Sequence, residues 1–531
     1  MDNLSTLNSQ LSTLYFLGIG GIGMSAIARY FKAKGFEVAG YDRTSTVLTR
    51  ELEAEGIKIN YVDEVEAIPS EFRGIDSEAE KHSTSNYSSP VLGEVAKPEG
   101  LELSTLNSQL STLVVYTPAI PADNKQYQYF LNNGFKMMKR AAVLGEITRL
   151  ERGLCIAGTH GKTTTSTMTA HILKQSHVDC NAFLGGISKN YTSNLLLSDK
   201  SDLVVIEADE FDRSFHHLSP YMAVITSTDA DHLDIYGTHE AYLESFAHFT
   251  SLIVDGGVLF VKKGIFNAQC TMHNAQLSYL SEVSNNGANG KPYQVGSKNI
   301  TLYTYSGTEQ ADFYADNIRL GGGRLVFDFV TPEERIADVE LGVPVMINVE
   351  NAVAAMSVAY LNGVTADELR ASMASFAGIR RRFDFHLRTD KLTVIDDYAH
   401  HPMELEASLK SVNALYSDKK IVVVFQPHLY TRTRDFYHEF AAALSHAEQV
   451  VLVEIYPARE LPIEGITSQI ILDEVTSPVK RLTTKAELID TLKTLDFDVL
   501  LTVGAGDIDT YIPSIIKNEE LGIYICVICG R

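Results

Sequence analysis

A lysine set among glycines and hydroxyl residues is the strongest chemical signal in this chain: Gly158-Thr159-His160-Gly161-Lys162-Thr163-Thr164-Thr165. Glycines let backbone N–H groups approach phosphate oxygens, and the N-terminus of a following helix adds partial positive charge. A lysine at this position reaches the β/γ-phosphates, and the hydroxyl after it, here Thr163, can sit on Mg²⁺. The loop is a shortened variant, because the full pattern asks for glycine at the position held by Ile156. Glycine and threonine also cap helices without binding anything. The apolar run Leu154–Ala157 before the loop and the helix-compatible stretch through His171 favour an ATP cradle formed by residues 158–164.

Other groups with the chemistry such a site needs lie further along. Glu207-Ala208-Asp209-Glu210 and Asp229-Ala230-Asp231-His232-Leu233-Asp234 each close an expected strand. Nucleotide-bound Mg²⁺ takes hard oxygen ligands, and Glu207 is the acid that a buried strand would deliver beside the loop. Asp231 and Asp234 read as scaffold or solvent-facing. Asn348 and Asn351 share a helix face at i, i+3, where they suit an adenine edge or a ribose, or simply a helix cap. Arg380-Arg381-Arg382-Phe383 concentrates guanidinium forks that match phosphate. Asp396-Asp397-Tyr398-Ala399-His400-His401-Pro402 and the segment Gln426–Asp435 close two further strands with acids, imidazoles and arginines.

The elements that must position these groups alternate between strand-like and helix-like patterns, which predicts α/β architecture with parallel sheets. Tyr15–Leu17 runs into Gly18-Ile19-Gly20-Gly21-Ile22-Gly23, then a helix over Met24–Lys34 and a strand over Glu37–Gly40 ending beside Asp42. This is the G-x-G-x-x-G unit with an acid about 20 residues on, and it predicts a diphosphate-bearing nucleotide. Leu113–Pro118 continues the sheet and Lys139–Arg149 reads as a helix leaving the domain. Leu203–Glu207 and Ala223–Thr226 are further strands, residues 256–342 an irregular β-prone stretch, and Asn348–Tyr360 a helix. Strands follow at Leu392–Ile395, Ile421–Phe425, Val450–Val453 and Val499–Val503, the last running into Gly504-Ala505-Gly506-Asp507. Three domains are expected: residues 1–150 with an insertion at about 71–110, residues 151–363 and residues 364–531.

The chain of 531 residues carries a formal net charge of −22, which argues against a nucleic-acid partner. No apolar run is long enough for a membrane span and the start lacks a signal-peptide pattern, so a cytoplasmic protein is expected. Five cysteines do not make a disulfide framework, and Cys526-x-x-Cys529 lacks the second pair a zinc site needs. Residues 71–100 are rich in Ser, Glu and Lys and read as an insertion. Leu103–Leu113 repeats Leu4–Leu14 letter for letter and has no third copy.

GIGGIGMS, GTHGKTTT, EADE, DADHLD, NVENAVAA, RRF, DDYAHHP, FQPHLYTRTRD, YPARE and GAGDI occur in this order. The order resembles the Mur ligases, and within them the alanine-adding branch, over nearly the whole chain. The resemblance implies an N-terminal Rossmann-like domain for the UDP-sugar, a central P-loop ATPase-type domain and a C-terminal Rossmann-like domain that closes on ATP and the amino acid. It implies substrates ATP, UDP-N-acetylmuramate and L-alanine, with Mg²⁺ and an acyl-phosphate intermediate, in a monomer or weak homodimer without membrane insertion. By the same resemblance Lys162, Glu207, His232, Arg382 and Asp397 match catalytic positions, with Thr163, Glu207 and His232 at the metal. Asn348 and Asn351 match the nucleotide asparagines; Gly18, Gly20, Gly21, Gly23 and Asp42 match the UDP turn. His400, His428, Arg432, Arg434 and Arg459 fall in motifs that face substrate. Ile347 stands where many relatives carry histidine, and Leu429 where arginine is common. A murein-recycling ligase that adds a ready-made peptide is the nearest alternative. An NAD-dependent oxidoreductase would explain the first glycine turn and leave the phosphate loop unexplained.

Overall fold

Short runs rich in β-branched and aromatic residues become strands because they fit a pleated, buried surface. In the computed structural model, which describes residues 12–73, 112–229, 233–265, 280, 282, 290–321, 323–458 and 460–518, the first five strands are parallel. They are β1 (Thr13–Leu17), β2 (Glu37–Tyr41), β3 (Lys58–Asn60), β4 (Thr112–Tyr116) and β5 (Lys136–Lys139), in the order β3-β2-β1-β4-β5. Alternation splits β1 between two cores: Leu14 and Phe16 face one, Tyr15 and Leu17 the other. Helix α1 (Ile22–Ala33) buries Met24, Ile27 and Phe31, and α2 (Arg140–Leu150) buries Val143, Leu144 and Ile147.

The ends of the two repeat copies enter neighbouring strands at the same depth. Thr13 pairs with Thr112 and Leu14 with Leu113, and the two threonine hydroxyls lie 2.7 Å apart. Residues 4–11 of the first copy and 103–111 of the second lie outside the described residues, as does the expected insertion beyond Arg73. Its first residues are part of the fold: Ser70–Arg73 is a helical turn whose Phe72 is buried against Tyr15, ring centroids 5.7 Å apart. A single buried aromatic anchors this turn, which is too little for a pattern read along the sequence.

By contacts the chain divides into two units, Met1–Gly186 with Ser193–Thr304, and Ile187–Thr192 with Tyr305–Arg531. The first unit also holds β6 (Arg152–Ala157), β7 (Asn181–Ser188, to Gly186), β8 (Ser193–Leu196), β9 (Leu203–Glu207), β10 (Pro220–Ile225) and β11 (Val258–Lys262), in the order β11-β10-β6-β9-β7-β8. The pairs β11/β10, β10/β6, β6/β9 and β9/β7 are parallel. A sheet covered on both faces gives continuous apolar strands, and Leu154, Cys155, Ile156 and Ala157 are all buried. Helix α3 (Lys162–Gln175) follows β6, and α4 (His239–Ser251) follows β10. β12 (Lys291–Val295) and β13 (Lys298–Ser306) form an antiparallel hairpin.

In the second unit, β14 (Phe313–Gly321), β15 (Arg324–Val330) and β16 (Arg335–Glu340) form an antiparallel meander that leads into α5 (Met346–Leu361). Within residues 256–342, expected to be irregular, β11 to β16 are regular strands. In β14 and β16 exposed polar residues are interspersed with buried or half-buried ones, so half of each strand lacks an apolar signal. The last sheet contains β17 (Asp384–Arg388), β18 (Thr393–Asp397), β19 (Ile421–Phe425), β20 (Gln449–Leu452), β21 (Val479–Leu482) and β22 (Val499–Val503). Its order is β17-β18-β22-β19-β20-β21, with β17 antiparallel and the rest parallel. Helices α6 (Pro402–Leu415) and α7 (Tyr430–Leu444) follow β18 and β19. No helix among the described residues is long and apolar enough to cross a membrane.

Candidate active site

The phosphate loop leaves β6 through two left-handed glycines. Gly158 has φ 135° and Gly161, the N-cap of α3, has φ 83°. A Cβ on Gly158 would lie 2.8 Å from the Ser227 nitrogen and would also meet the Thr226 hydroxyl, so the loop and the end of β10 touch only because this residue has no side chain. Cross-links hold the loop still. Thr226 Oγ1 donates to the carbonyls of Ala157 (3.1 Å) and His160 (2.5 Å), and the His160 N–H donates to Ser227 Oγ (2.7 Å). Thr159 Oγ1 meets the Tyr242 hydroxyl at 2.8 Å and donates to the Asp229 carbonyl at 2.8 Å.

Lys162 is turned back onto this loop. Its ammonium donates to the carbonyls of Gly158 (2.7 Å) and Thr159 (3.2 Å) and pairs with Glu210 Oε1 at 2.8 Å. Glu210 is 1% exposed; burial pushes its carboxyl up and Lys162 pulls it back down. Reading the sequence assigned Glu210 no role, although it closes the same EADE segment as Glu207.

Glu207 ends β9 beside Gly185 of β7. A Cβ on Gly185 would lie 2.8 Å from Glu207 Oε1 and closer still to the other carboxylate oxygen, so the glycine keeps space beside the acid. His232 lies outside the described residues. Among the described residues no group of three His, Cys, Asp or Glu side chains could hold a metal by itself. Magnesium bound by one or two carboxylates and completed by phosphate and water is its usual state in nucleotide sites. A hard-oxygen set of Glu207 and Thr163 fits that mode.

The first glycine turn is stapled by the acid expected to follow it. Gly18, at φ 85°, donates to the Tyr41 carbonyl at 2.8 Å, and the Gly20 N–H donates to Asp42 Oδ2 at 2.7 Å. Asp42 Oδ1 accepts from Thr44 N at 3.2 Å, so this carboxylate shapes the turn. Gly21 is the N-cap of α1, and Gly23 faces the Arg140 side chain, whose guanidinium pairs with Asp209 at 3.4 Å.

The second unit brings a further set together. Asn348 and Asn351 are both buried at the start of α5, with Asn351 Nδ2 donating to Asn348 Oδ1 at 3.3 Å and Asn348 Nδ2 to the Val343 carbonyl at 3.2 Å. The N-cap is Val345, so neither asparagine is the cap, and the helix begins two residues earlier than expected. Asp397 ends β18, accepts from Ser408 Oγ, and is pushed up by burial while Ser408 and Arg382 oppose the shift. Asp396, beside it and fully buried, is pushed up to about 7 by burial, with Arg381 pulling the other way.

At the ends of β18 and β19, His400 and His428 lie with ring centroids 6.3 Å apart. His400 Nδ1 donates to the Tyr398 carbonyl at 3.1 Å. Arg432 Nη1 donates to His428 Nδ1 at 3.3 Å, and His428 stacks on Tyr456 at 5.8 Å. Burial lowers both imidazoles, His428 to about 4 with Arg432 adding to the shift, so both are neutral near pH 7. Arg434 is not drawn into this group: its guanidinium pairs with Asp435, and both are half-exposed. Arg459 lies outside the described residues.

A phosphate loop with a lysine–carboxylate pair, carried on an α/β sheet in a chain that begins and ends with doubly wound domains, defines a nucleotide-triphosphate-using enzyme of three domains. Three family models cover most of the chain: "Mur ligase family, catalytic domain" over residues 13–152, "Mur ligase middle domain" over 156–359 and "Mur ligase, glutamate ligase domain" over 381–506. The chain therefore belongs to the Mur ligase family, and it is an ATP-dependent ligase that forms an amide bond. It is 54% identical over 501 residues to the UDP-N-acetylmuramate–L-alanine ligase of Parabacteroides distasonis, covering 94% of this chain and 96% of the relative. It is 52% identical over 506 residues to the enzyme of the same name from Phocaeicola vulgatus, covering 95% and 97%. The fold matches the UDP-N-acetylmuramate-alanine ligase structure from Thermotoga maritima with a TM-score of 0.69 at 24% identity, covering 95% of this chain and 98% of that one. A murein peptide ligase from Psychrobacter arcticus matches with a TM-score of 0.58 at 20% identity, covering 97% and 100%.

Proposed function

We infer that this protein joins L-alanine to the lactyl carboxylate of UDP-N-acetylmuramate, using ATP, in the synthesis of peptidoglycan precursor. The observation that carries the reading is the pinned phosphate loop, with Lys162 held by Glu210, in a chain more than half identical to alanine-adding ligases over 94% of its length. A carboxylate is a poor electrophile. Transfer of the γ-phosphoryl to its oxygen breaks the β–γ bridging P–O bond, releases ADP and leaves an acyl phosphate. The amine of L-alanine then attacks the acyl carbon; the C–O bond to phosphate breaks, phosphate departs with the electron pair, and the amine proton goes to solvent.

Lys162 and Arg382 are the cations suited to offset charge on the transferring phosphoryl group, since pre-placed charge stabilises that transition state. Mg²⁺, when bound, would add to this neutralisation, with Thr163, Glu207 and His232 the residues to hold it. Gly18, Gly20, Gly21 and Gly23 form the turn for the UDP diphosphate, whose shape Asp42 maintains. Asn348 and Asn351 suit the nucleotide, and Asp397 closes the strand next to Arg382. The neutral His400 and His428 with Arg432 suit the amino-acid side, where a guanidinium matches the alanine carboxylate; Arg434 and Arg459 belong to the same motifs. The substrates are soluble nucleotides and an amino acid, which fits a cytoplasmic monomer or weak homodimer.

The test is phosphate release from ATP with UDP-N-acetylmuramate, with and without L-alanine, glycine, L-serine or a murein tripeptide. Release that needs both the sugar nucleotide and L-alanine supports the reading. Release with the tripeptide alone assigns the enzyme to precursor recycling, and silence with every acceptor removes the ligase reading.

A further inference from the structure

We propose that Arg381 is a positioning residue for the phosphoryl-transfer step, holding the backbone that presents Arg382. The inference rests on Arg382 being the phosphate arginine. The two neighbours are used in opposite ways. Arg381 sits at φ 62°, a left-handed conformation that non-glycine residues adopt only when their surroundings impose it. Its N–H donates to Asp384 Oδ2 at 3.1 Å, and its carbonyl accepts from Tyr398 N at 2.7 Å. Asp384 is itself buried and paired with Lys189. The guanidinium donates to the carbonyls of Gly504 (2.6 Å) and Gly506 (2.9 Å), reaches Asp396 Oδ2 and Asp509 Oδ1 at 3.3 Å each, and lies 5.0 Å from the Tyr398 ring centroid.

These bonds join the ends of β18 and β22 at the level of Asp397, whose carbonyl accepts from Gly504 N at 3.1 Å. A guanidinium committed to this many acceptors has no edge left for phosphate. Among the described residues Arg382 makes no ion pair; its guanidinium lies 5.6 Å from the ring centroid of Tyr398, the same ring that Arg381 covers. The geometry therefore assigns binding to Arg382 and placement to Arg381. Placement matters because small misplacements of a charge that acts in a transition state are costly in rate.

A double-mutant cycle separates this role from plain stability. The readout is single-turnover ADP formation with UDP-N-acetylmuramate in the absence of L-alanine, together with steady-state KM values. R382A should slow ADP formation by about a hundredfold or more, and R381K by about tenfold with a rise in the ATP KM and little change in the sugar-nucleotide KM. R381K/R382A should be no slower than R382A alone. Multiplicative losses in the double variant would overturn the proposal, because independent residues add in free energy. R382A with unchanged ADP formation would instead remove the phosphate-arginine assignment. If R381K does not fold, D509N loosens the same guanidinium from a partly exposed partner; the cycle with D509N should show the same failure to add, and additivity there would count against the proposal.

Discussion

Lys162 shows how a cation of the phosphate loop is held. Its ammonium is satisfied by two carbonyls of its own loop and by Glu210, so it is not left buried and unpaired. The same loop geometry keeps it beside the N-terminus of α3. Lys162→Ala is expected to lower turnover by about a hundred- to a thousandfold, measured by phosphate release, with the folded state retained by circular dichroism. His428 makes a different prediction. With a value near 4 in the folded protein and an ordinary imidazole near 6.5 when unfolded, the unfolded chain binds more protons between these limits. Its contribution to stability is thus present above about pH 6.5 and is lost as pH falls towards 4. Urea melts should show wild type losing stability relative to H428N between pH 7 and pH 5. An NMR titration should find the imidazole of His428 unchanged between pH 5.5 and 8.

At the scale of elements, the buried parallel strands were legible because both faces are covered and apolar runs result, as in Leu154–Ala157 of β6, all of β19 and Val499–Leu501 of β22. Edge strands were not. β21 reads Val-Lys-Arg-Leu with two exposed positions, a charged edge that discourages pairing with another chain and hides the strand from an apolar pattern. β17 alternates half-buried Phe385 and Leu387 with exposed His386 and Arg388, and it runs against its neighbour. The turn at Gly158 carries the element-scale prediction. Gly158→Ala must place a Cβ at φ 135° against the end of β10, which should cost about 1–3 kcal/mol and weaken ATP binding. Gly134→Ala, at φ 72° with open space around it, should cost less. Guanidinium melts and ATP titrations of the two variants check the ordering.

For the whole molecule, the segment between Arg73 and Thr112 is flanked on both sides by structure of one small sheet. Phe72 packs on Tyr15 of β1, and Thr112 pairs beside Thr13 of the same strand. Loop-closure cost grows slowly with length, so the sheet does not depend on how long the connection is. Replacing residues 74–111 with a short Gly/Ser linker is expected to leave the melting temperature within a few degrees and to preserve the dependence of phosphate release on UDP-N-acetylmuramate. Loss of sugar-nucleotide dependence alone would show that the segment takes part in binding. The acidic total, −22, bears on solubility and not on the fold.

Local pattern and motif order were enough to read the α/β class, the phosphate loop, the first glycine turn and the chemistry they serve, because each depends on residues adjacent in the chain. A strand, a glycine turn and a helix N-terminus are set by neighbours within about ten positions, and their period survives in the letters. Partner choice was decided by tertiary structure alone. That Lys162 pairs with Glu210, that Asp42 staples its own turn, that Arg434 is left outside the imidazole cluster, and that Arg381 supports while Arg382 stays available all depend on which strand ends meet. The three acids of Glu207–Glu210 and three adjacent arginines look interchangeable in sequence. The fold separates them by burial and by the direction each side chain leaves the backbone, because a carboxylate or guanidinium taken out of water must find its partner there.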